Sequence, residues 1–223
     1  GYHDDGESWS HDEGRTAVFL GDIIDRGPTV PAVIVLVSQM VRRGTALFVP
    51  GNHDERFSAF LAGEDVVVAY GLEQTLEQLE QLDDETRGDV LTRFLGLFLV
   101  SPPYLWLDGG RLVAVHGGIE AAMIGAFDTE IWQFCLMGKV AIDGPGQVRR
   151  LEWAPDYHGT TLVAYGHTPC PQPAFVNCTV NLDQGCVFGG ALSALRYPEL
   201  DTVTVRAREP YFVPGRMASR VEE

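Results

Sequence analysis

Four short apolar runs, each followed at once by a small residue or tight turn and then by a potential metal ligand, constrain this chain more than any other feature. The runs are Ala17-Val18-Phe19-Leu20, Leu47-Phe48-Val49, Leu112-Val113-Ala114-Val115 and Leu162-Val163-Ala164-Tyr165. The groups that follow them are Asp22, Asn52, His116 and His167. Short apolar runs bounded by turn residues read as buried strands. In α/β folds the loops that leave the C-terminal ends of such strands carry chemistry, because a rigid sheet edge holds them in place. The recurrence therefore predicts that four ligand-type side chains reach one edge of a sheet.

The rest of the chain is consistent with that class. Residues 1–15 are polar and without period, an irregular lead-in or a short hairpin. Pro28 at a helix start precedes Val30, Val33, Ile34, Val37 and Val41, which recur at helical spacing up to Gly44. Thr45 to Val49 then reads as a strand parallel to the first, which puts Asp22 and Asn52 on the same edge. Leu72, Leu76 and Leu79 form one apolar helical stripe, and Val90, Leu91, Phe94, Leu95 and Phe98 form another. Tyr104 to Leu107 and Arg111 to Val115 flank Asp108-Gly109-Gly110 as a β-hairpin. Residues 120–137 read as mixed helix, and 138–150, with Gly144-Pro145-Gly146, as a loop at the rim of the site. Leu162 to Tyr165, Phe175 to Leu182, Ala191 to Tyr197 and Thr202 to Val205 predict strands of a second sheet. Residues 212–223 read as a tail or linker.

At 223 residues the chain has the size of one domain. No apolar run is long enough to span a membrane and no secretion signal is visible, so a cytoplasmic location is expected. A net charge of −15 argues against an extended surface that tracks nucleic-acid backbone, yet leaves room for a small site that grips one phosphate. Cys135, Cys170, Cys178 and Cys186 form no CxxC pair, so free thiols are expected and a zinc cluster is not.

Asp22, Asn52, His116 and His167 together offer carboxylate oxygen, amide oxygen and imidazole nitrogen, a set suited to a hard or borderline divalent ion. Arg26, pinned beside Asp22 by Gly27 and Pro28, has the planar fork that grips two phosphate oxygens at once. In order, Gly21-Asp22-Ile23-Ile24-Asp25-Arg26-Gly27, Gly51-Asn52-His53-Asp54, His116-Gly117-Gly118 and Gly166-His167-Thr168 resemble the motifs of the calcineurin-like metallophosphoesterases. The resemblance implies an α/β fold of two packed β-sheets flanked by helices. It implies that Asp22 bridges two ions, that Asn52, His116 and His167 complete the shell of the second, and that Arg26 binds substrate phosphate. It also implies that His53 protonates the leaving group and that Asp25, set against His53, keeps it charged. Mn2+ is the ion expected first, with Ni2+, Co2+, Fe2+/Zn2+ and Mg2+ as alternatives.

A closer resemblance lies toward the C-terminal end, in Tyr165 to Pro169, Asn181 to Gly190 and Leu192 to Pro198, which are similar to the phosphatase module of bacterial polynucleotide kinase-phosphatases. That similarity implies nucleotide or RNA-end phosphates (2′-, 3′- or 2′,3′-cyclic) as substrates, and flanking kinase and ligase domains in the intact polypeptide. Symmetric dinucleoside tetraphosphate hydrolysis stands second and serine/threonine protein phosphatase activity third. A degenerate phosphate-binding scaffold is the non-enzymatic rival, which Arg26 and His53 together disfavour. Asp183 is a candidate for orienting His167 or Arg26, with a turn role before Gly185 as the competing reading. The family's Asp-x-His motif on the first strand, which holds the first metal, has no match here. The expectation is a chain that starts after that strand and helix and holds one ion, with natural loss of the first metal site as the rival.

Overall fold

The computed structural model describes residues 1–213 except Glu7, Pro145 and Gly146. Its polar lead-in is a hairpin, β1 (Tyr2–Asp4) paired antiparallel with β2 (Trp9–His11). Next comes β3 (Ala17–Phe19), which passes through α1 (Val30–Arg42) to β4 (Ala46–Phe48). As expected, β3 and β4 are parallel, with Ala17 opposite Ala46 and Phe19 opposite Phe48. Val30, Ile34 and Val37 give α1 one buried face. The proline in its first turn is Pro31, where a missing N–H is harmless because the first helical amides have no partner inside the helix. Pro28 lies in the loop before it.

Three further helices follow: α2 (Asn52–Leu61), α3 (Leu72–Glu80) and α4 (Asp84–Val100). Asp83 caps α4 by accepting the Thr86 N–H at 2.9 Å, which satisfies an amide the helix leaves open. Phe57, Leu72, Leu79 and Phe94 pack against α1 and β4 in one core, where the Phe57 and Phe94 rings lie 4.8 Å apart. Because this core is built on α1 and α2, it fixes the two loops that precede those helices, the loops that carry Asp22 and Asn52.

Strand β5 (Tyr104–Leu107) returns through a 3-10 turn at Asp108–Gly110 into β6 (Leu112–Val115), completing the predicted hairpin. After α5 (Thr129–Met137), the stretch read as a loop is instead a hairpin, β7 (Val140–Asp143) with β8 (Gln147–Arg150). Glycine and proline at its tip hid the pairing. The following strand, β9 (Leu162–Tyr165), pairs parallel with β6. Residues Phe175 to Leu182 are not one strand: β10 (Ala174–Val176) and β11 (Thr179–Asn181) are parted by a turn in which Asn177 has φ 51°. Both join β9, β6 and β5 in a five-stranded sheet of order β10-β11-β9-β6-β5. Parallel pairing with β11 on one edge and β6 on the other puts β9 in the middle of this sheet and not in the second one. The second sheet is therefore smaller than expected, comprising β12 (Asp183–Gln184), β13 (Ala191–Arg196) and β14 (Asp201–Arg206), all antiparallel.

Residue 212, expected to open a tail, belongs to the packed chain. Tyr211 and Phe212 both donate their backbone N–H to the Val187 carbonyl at 2.9 Å, so the packed chain continues through them. The stretch from Pro214 onward lies outside the described residues. Among the described residues, the edge of β3 away from β4 carries no strand. Val18, Leu112, Ala114, Ala164, Leu182 and Leu192 line the groove of about 1000 Å3 beside it.

No helix among the described residues is long and apolar enough to cross a membrane. All four cysteines are unbridged, as the spacing predicts. Cys135 is buried, and desolvation pushes its thiol up to about 12, so the reactive thiolate is absent near neutral pH. A chromogenic disulfide reagent should therefore label Cys135 only after denaturation. Peptide mapping that finds it modified in the native protein as fast as Cys170 would contradict the burial.

Candidate active site

Leaving β3, the chain turns through Gly21 (φ 82°) directly onto the loop after β4. A Cβ at Gly21 would stand 2.3 Å from the Gly51 nitrogen, so only glycine allows this approach. The buried carboxylate of Asp54, on the first turn of α2, ties the two loops together. It accepts the backbone N–H of Asp22 at 2.7 Å, of Gly51 at 2.8 Å and of Ile23 at 3.2 Å. Burial, and then the charge on Asp22, push its pKa well up, while the backbone donors pull the other way. The Asp54 bond to the Gly51 N–H is local, the capping of α2 by a residue in its first turn, whereas those to Asp22 and Ile23 are tertiary and nothing in the local sequence announces them.

The four ligand-type side chains meet. His116 Nδ1 is 2.6 Å from the Leu20 carbonyl, a contact that requires Nδ1–H as donor and leaves the lone pair on Nε2. That Nε2 faces Asn52 Oδ1 at 3.2 Å, His167 Nδ1 at 3.0 Å and Asp22 Oδ2 at 3.5 Å. One ligand atom each from Asp22, His116 and His167 lies within 4.8 Å of the others. So many lone pairs aimed at one point repel each other unless a cation lies between them. His167 Nε2 is buried without a hydrogen-bond partner, a cost to be expected where a ring is positioned for another duty. Burial first, then the charges of His116 and Arg150, lowers the His167 pKa to about 3, so the ring is neutral as a metal ligand must be. Burial resists ionisation of Asp22, but His116, His53 and His167, with the His53 N–H, outweigh it and bring its pKa below the usual carboxylate value. This donor set fits a divalent cation.

A second cluster adjoins the first. His53 Nδ1 lies 2.5 Å from Asp25 Oδ2, and both side chains are buried. Arg56 donates to the same Oδ2 at 2.6 Å. Thr75 donates its hydroxyl to Asp25 Oδ1 at 2.7 Å and accepts the Asp25 backbone N–H at 3.0 Å. Nδ1 of His53 thus faces both the Asp25 carboxylate and Arg56 Nη2, the latter at 2.9 Å, and Nε2 remains for chemistry. Arg56 and Thr75 escaped the sequence reading. Arg56, on α2 three residues after His53, could have been suspected; Thr75, on α3 and fifty positions from Asp25, could not.

Arg26 lines the same groove as Asp22, His53 and His167, and donates Nε–H to the Tyr70 carbonyl at 2.9 Å. Four arginines line that groove: Arg15 is paired with Glu199 and Arg196 with Asp201, whereas Arg26 and Arg150 have no carboxylate partner among the described residues. Arg150 arrives on β8, the strand that sequence reading took for loop, and its Nη1 lies 3.5 Å from the His167 carbonyl. Asp183 is placed differently from the expectation. Its Oδ1 accepts the Gly185 N–H at 2.8 Å, and no bond to His167 or Arg26 is present among the described residues. The short turn into Gly185, which has φ 63°, claims the carboxylate first.

Asp22 (φ 55°), Asp25 (φ 64°), Arg26 (φ 58°) and His167 (φ 71°) all have left-handed backbone, which is rare outside glycine and gathers where function over-determines geometry. A divalent-cation locus beside an uncommitted arginine and a carboxylate-held histidine can bind a phosphoryl group, stabilise its charge and protonate a departing oxygen. Fold and site thus define a hydrolytic phosphoesterase. The chain belongs to the calcineurin-like phosphoesterase family, whose pattern matches residues 8–204. It is 42% identical over 203 residues to the asymmetrical bis(5'-nucleosyl)-tetraphosphatase PrpE of Anoxybacillus flavithermus, covering 90% of this chain and 83% of that one. The PrpE of Bacillus cereus strain AH820 is 42% identical over 219 residues, covering 95% and 89%. A solved structure described as that of a candidate diadenosine tetraphosphatase superposes with a TM-score of 0.61 at 19% identity, over 86% of this chain and 80% of its own, which supports the fold.

Proposed function

We propose that this chain hydrolyses dinucleoside polyphosphates, cutting a dinucleoside tetraphosphate asymmetrically into a nucleoside triphosphate and a nucleoside monophosphate. The observation that carries this reading is the similarity, along nearly the whole chain, to proteins named asymmetrical tetraphosphatases. It favours the dinucleoside reading over RNA-end phosphates, and the asymmetric cut over the symmetric one.

In this reading Asp22, Asn52, His116 and His167 hold the divalent ion, with Mn2+ the first candidate. When bound, such an ion supplies Lewis-acid stabilisation of phosphoryl oxygens and lowers the pKa of water. The chain's own groups supply the rest. Arg26 grips non-bridging phosphate oxygens, a task suited to a guanidinium with no carboxylate competing for it. His53, held beside Asp25, can give a proton from Nε2 to a leaving oxygen basic enough to need one, a nucleoside alkoxide more than a triphosphate. Asp54 keeps the two loops in register while they do so.

Incubation with diadenosine tetraphosphate and Mn2+, followed by ion-exchange chromatography, tests the proposal. ATP and AMP in equal amounts are expected. Two equivalents of ADP would replace the asymmetric cut by the symmetric one. Inertness toward the dinucleotide, with turnover of nucleoside 2′- or 3′-phosphates or 2′,3′-cyclic phosphates, would return the RNA-end reading to first place.

A further inference from the structure

Arg26 is held in a corner made by two aromatic rings. Its guanidinium carbon lies 5.5 Å from the centroid of Phe188 and 5.3 Å from that of Phe212, and these rings meet edge to face, 6.1 Å apart at 69°. Phe188 ends the short 3-10 turn Cys186–Phe188, which lies between Gly185 and Gly189, both with left-handed backbone. Phe212 reaches the site because its own amide and that of Tyr211 donate to the Val187 carbonyl at 2.9 Å, folding this segment back over the same turn.

We propose that Phe188 and Phe212 are positioning residues that preorganise Arg26 for phosphate, which makes the segment through Phe212 part of the active site. The inference rests on the reading of Arg26 as the phosphate clamp. A guanidinium held over aromatic rings is steadied without its N–H donors being claimed, as a carboxylate partner would claim them. The remaining tether, Nε–H to the Tyr70 carbonyl, uses the inner edge. Among the described residues the Nη donors make no further hydrogen bond, which leaves them for substrate. Tyr70 also brings Gly71 against Arg26: a Cβ there would lie 2.6 Å from Arg26 Cγ, so the stem of the side chain is packed as well as its head. Ordering a long, flexible arginine before the ligand arrives removes an entropic penalty from binding.

The test replaces each ring by leucine, which keeps apolar bulk without a π face, and by tyrosine, which keeps both. Inorganic phosphate binding to the Mn2+-loaded protein should weaken about threefold for Phe188→Leu or Phe212→Leu and about tenfold for the pair. Tyrosine should restore it. KM for a nitrophenyl phosphate should rise in step, with kcat changing less. NMR of the Arg26 Nε–H in Zn2+-loaded protein should show the side chain more mobile in the leucine variants. In an Arg26→Ala background the ring variants should cost nothing more.

Leucine variants that bind phosphate as tightly as phenylalanine would reduce the rings to ordinary packing and overturn the proposal. Losses that persist in Arg26→Ala, or that appear for nucleotides and not for inorganic phosphate, would also overturn it, by placing the rings against the ligand, for example under a base. Phosphate binding and arginine mobility are read without turnover. A chain inert to every phosphoester would therefore sink the proposed function and leave this inference to be decided on its own measurements.

Discussion

Replacing Asp22 with asparagine is expected to lower phosphoester turnover by at least about 10³-fold, roughly 4 kcal/mol of transition-state stabilisation, and to strip the tightly held ion. Asp22 is the one carboxylate in a cluster otherwise made of His116, His167 and Asn52. Removing its charge leaves neutral donors to hold a dication. The change is nearly isosteric, and the backbone N–H of Asp22 would still reach Asp54, so the loop should keep its shape. Elemental analysis after gel filtration is the measurement: about one equivalent of Mn2+ is expected in the parent chain, on the logic that a closed donor set holds one ion, and much less in the variant. Equal metal content and equal rate would remove Asp22 from the site. Two equivalents in the parent would show that further ligands exist outside this cluster.

The second large effect is selective. His53→Ala should slow hydrolysis of nucleoside monophosphate esters by about 10²–10⁴-fold, the usual contribution of a general acid. A nitrophenyl phosphate, whose leaving group departs without a proton, should lose far less. A nucleoside triphosphate is also a weakly basic leaving group, so a dinucleoside tetraphosphate cut asymmetrically should resemble the nitrophenyl ester. Asp25→Asn should show the same selectivity in weaker form, because the amide still contacts His53 and holds its ring in place. Equal losses on all three substrates would make His53 a residue that positions the substrate without giving it a proton.

What could be read in the sequence was whatever is decided locally. A strand, a glycine and a ligand lie within a few residues of each other, so Asp22, Asn52, His116 and His167 could be expected at strand ends. The structure brings them together, though from two sheets, β3-β4 and the one that contains β6 and β9, and not from one sheet edge. The parallel β3 and β4 were legible for the same reason, through the helical stripe between them. The β7–β8 hairpin was not, because its residues show no alternation strong enough to outweigh the Gly-Pro-Gly at its tip. Nor was the assignment of β9 to the larger sheet, which depends on what covers each face. Arg56, Thr75, Arg150 and Phe212 enter the site from elements whose own sequences are ordinary; only the packing of α2, α3, β8 and the segment after β14 brings them there. Asp183 shows the converse, a residue that looks placed for a metal site until its own turn proves to satisfy it.

The left-handed backbone at Asp22, Asp25, Arg26 and His167 sets stability and activity against each other in this protein. Each such residue stores on the order of 1–3 kcal/mol that an unconstrained chain would release. Glycine at Arg26 would be comfortable in that conformation and would remove the side chain proposed to grip phosphate, so variants that fold better through these positions should be found among those that work worse. A screen that rewards only solubility or thermal resistance would drift toward them. Durable versions of the enzyme are better sought on the exposed faces of α3 and α4, where the chain pays nothing for its chemistry.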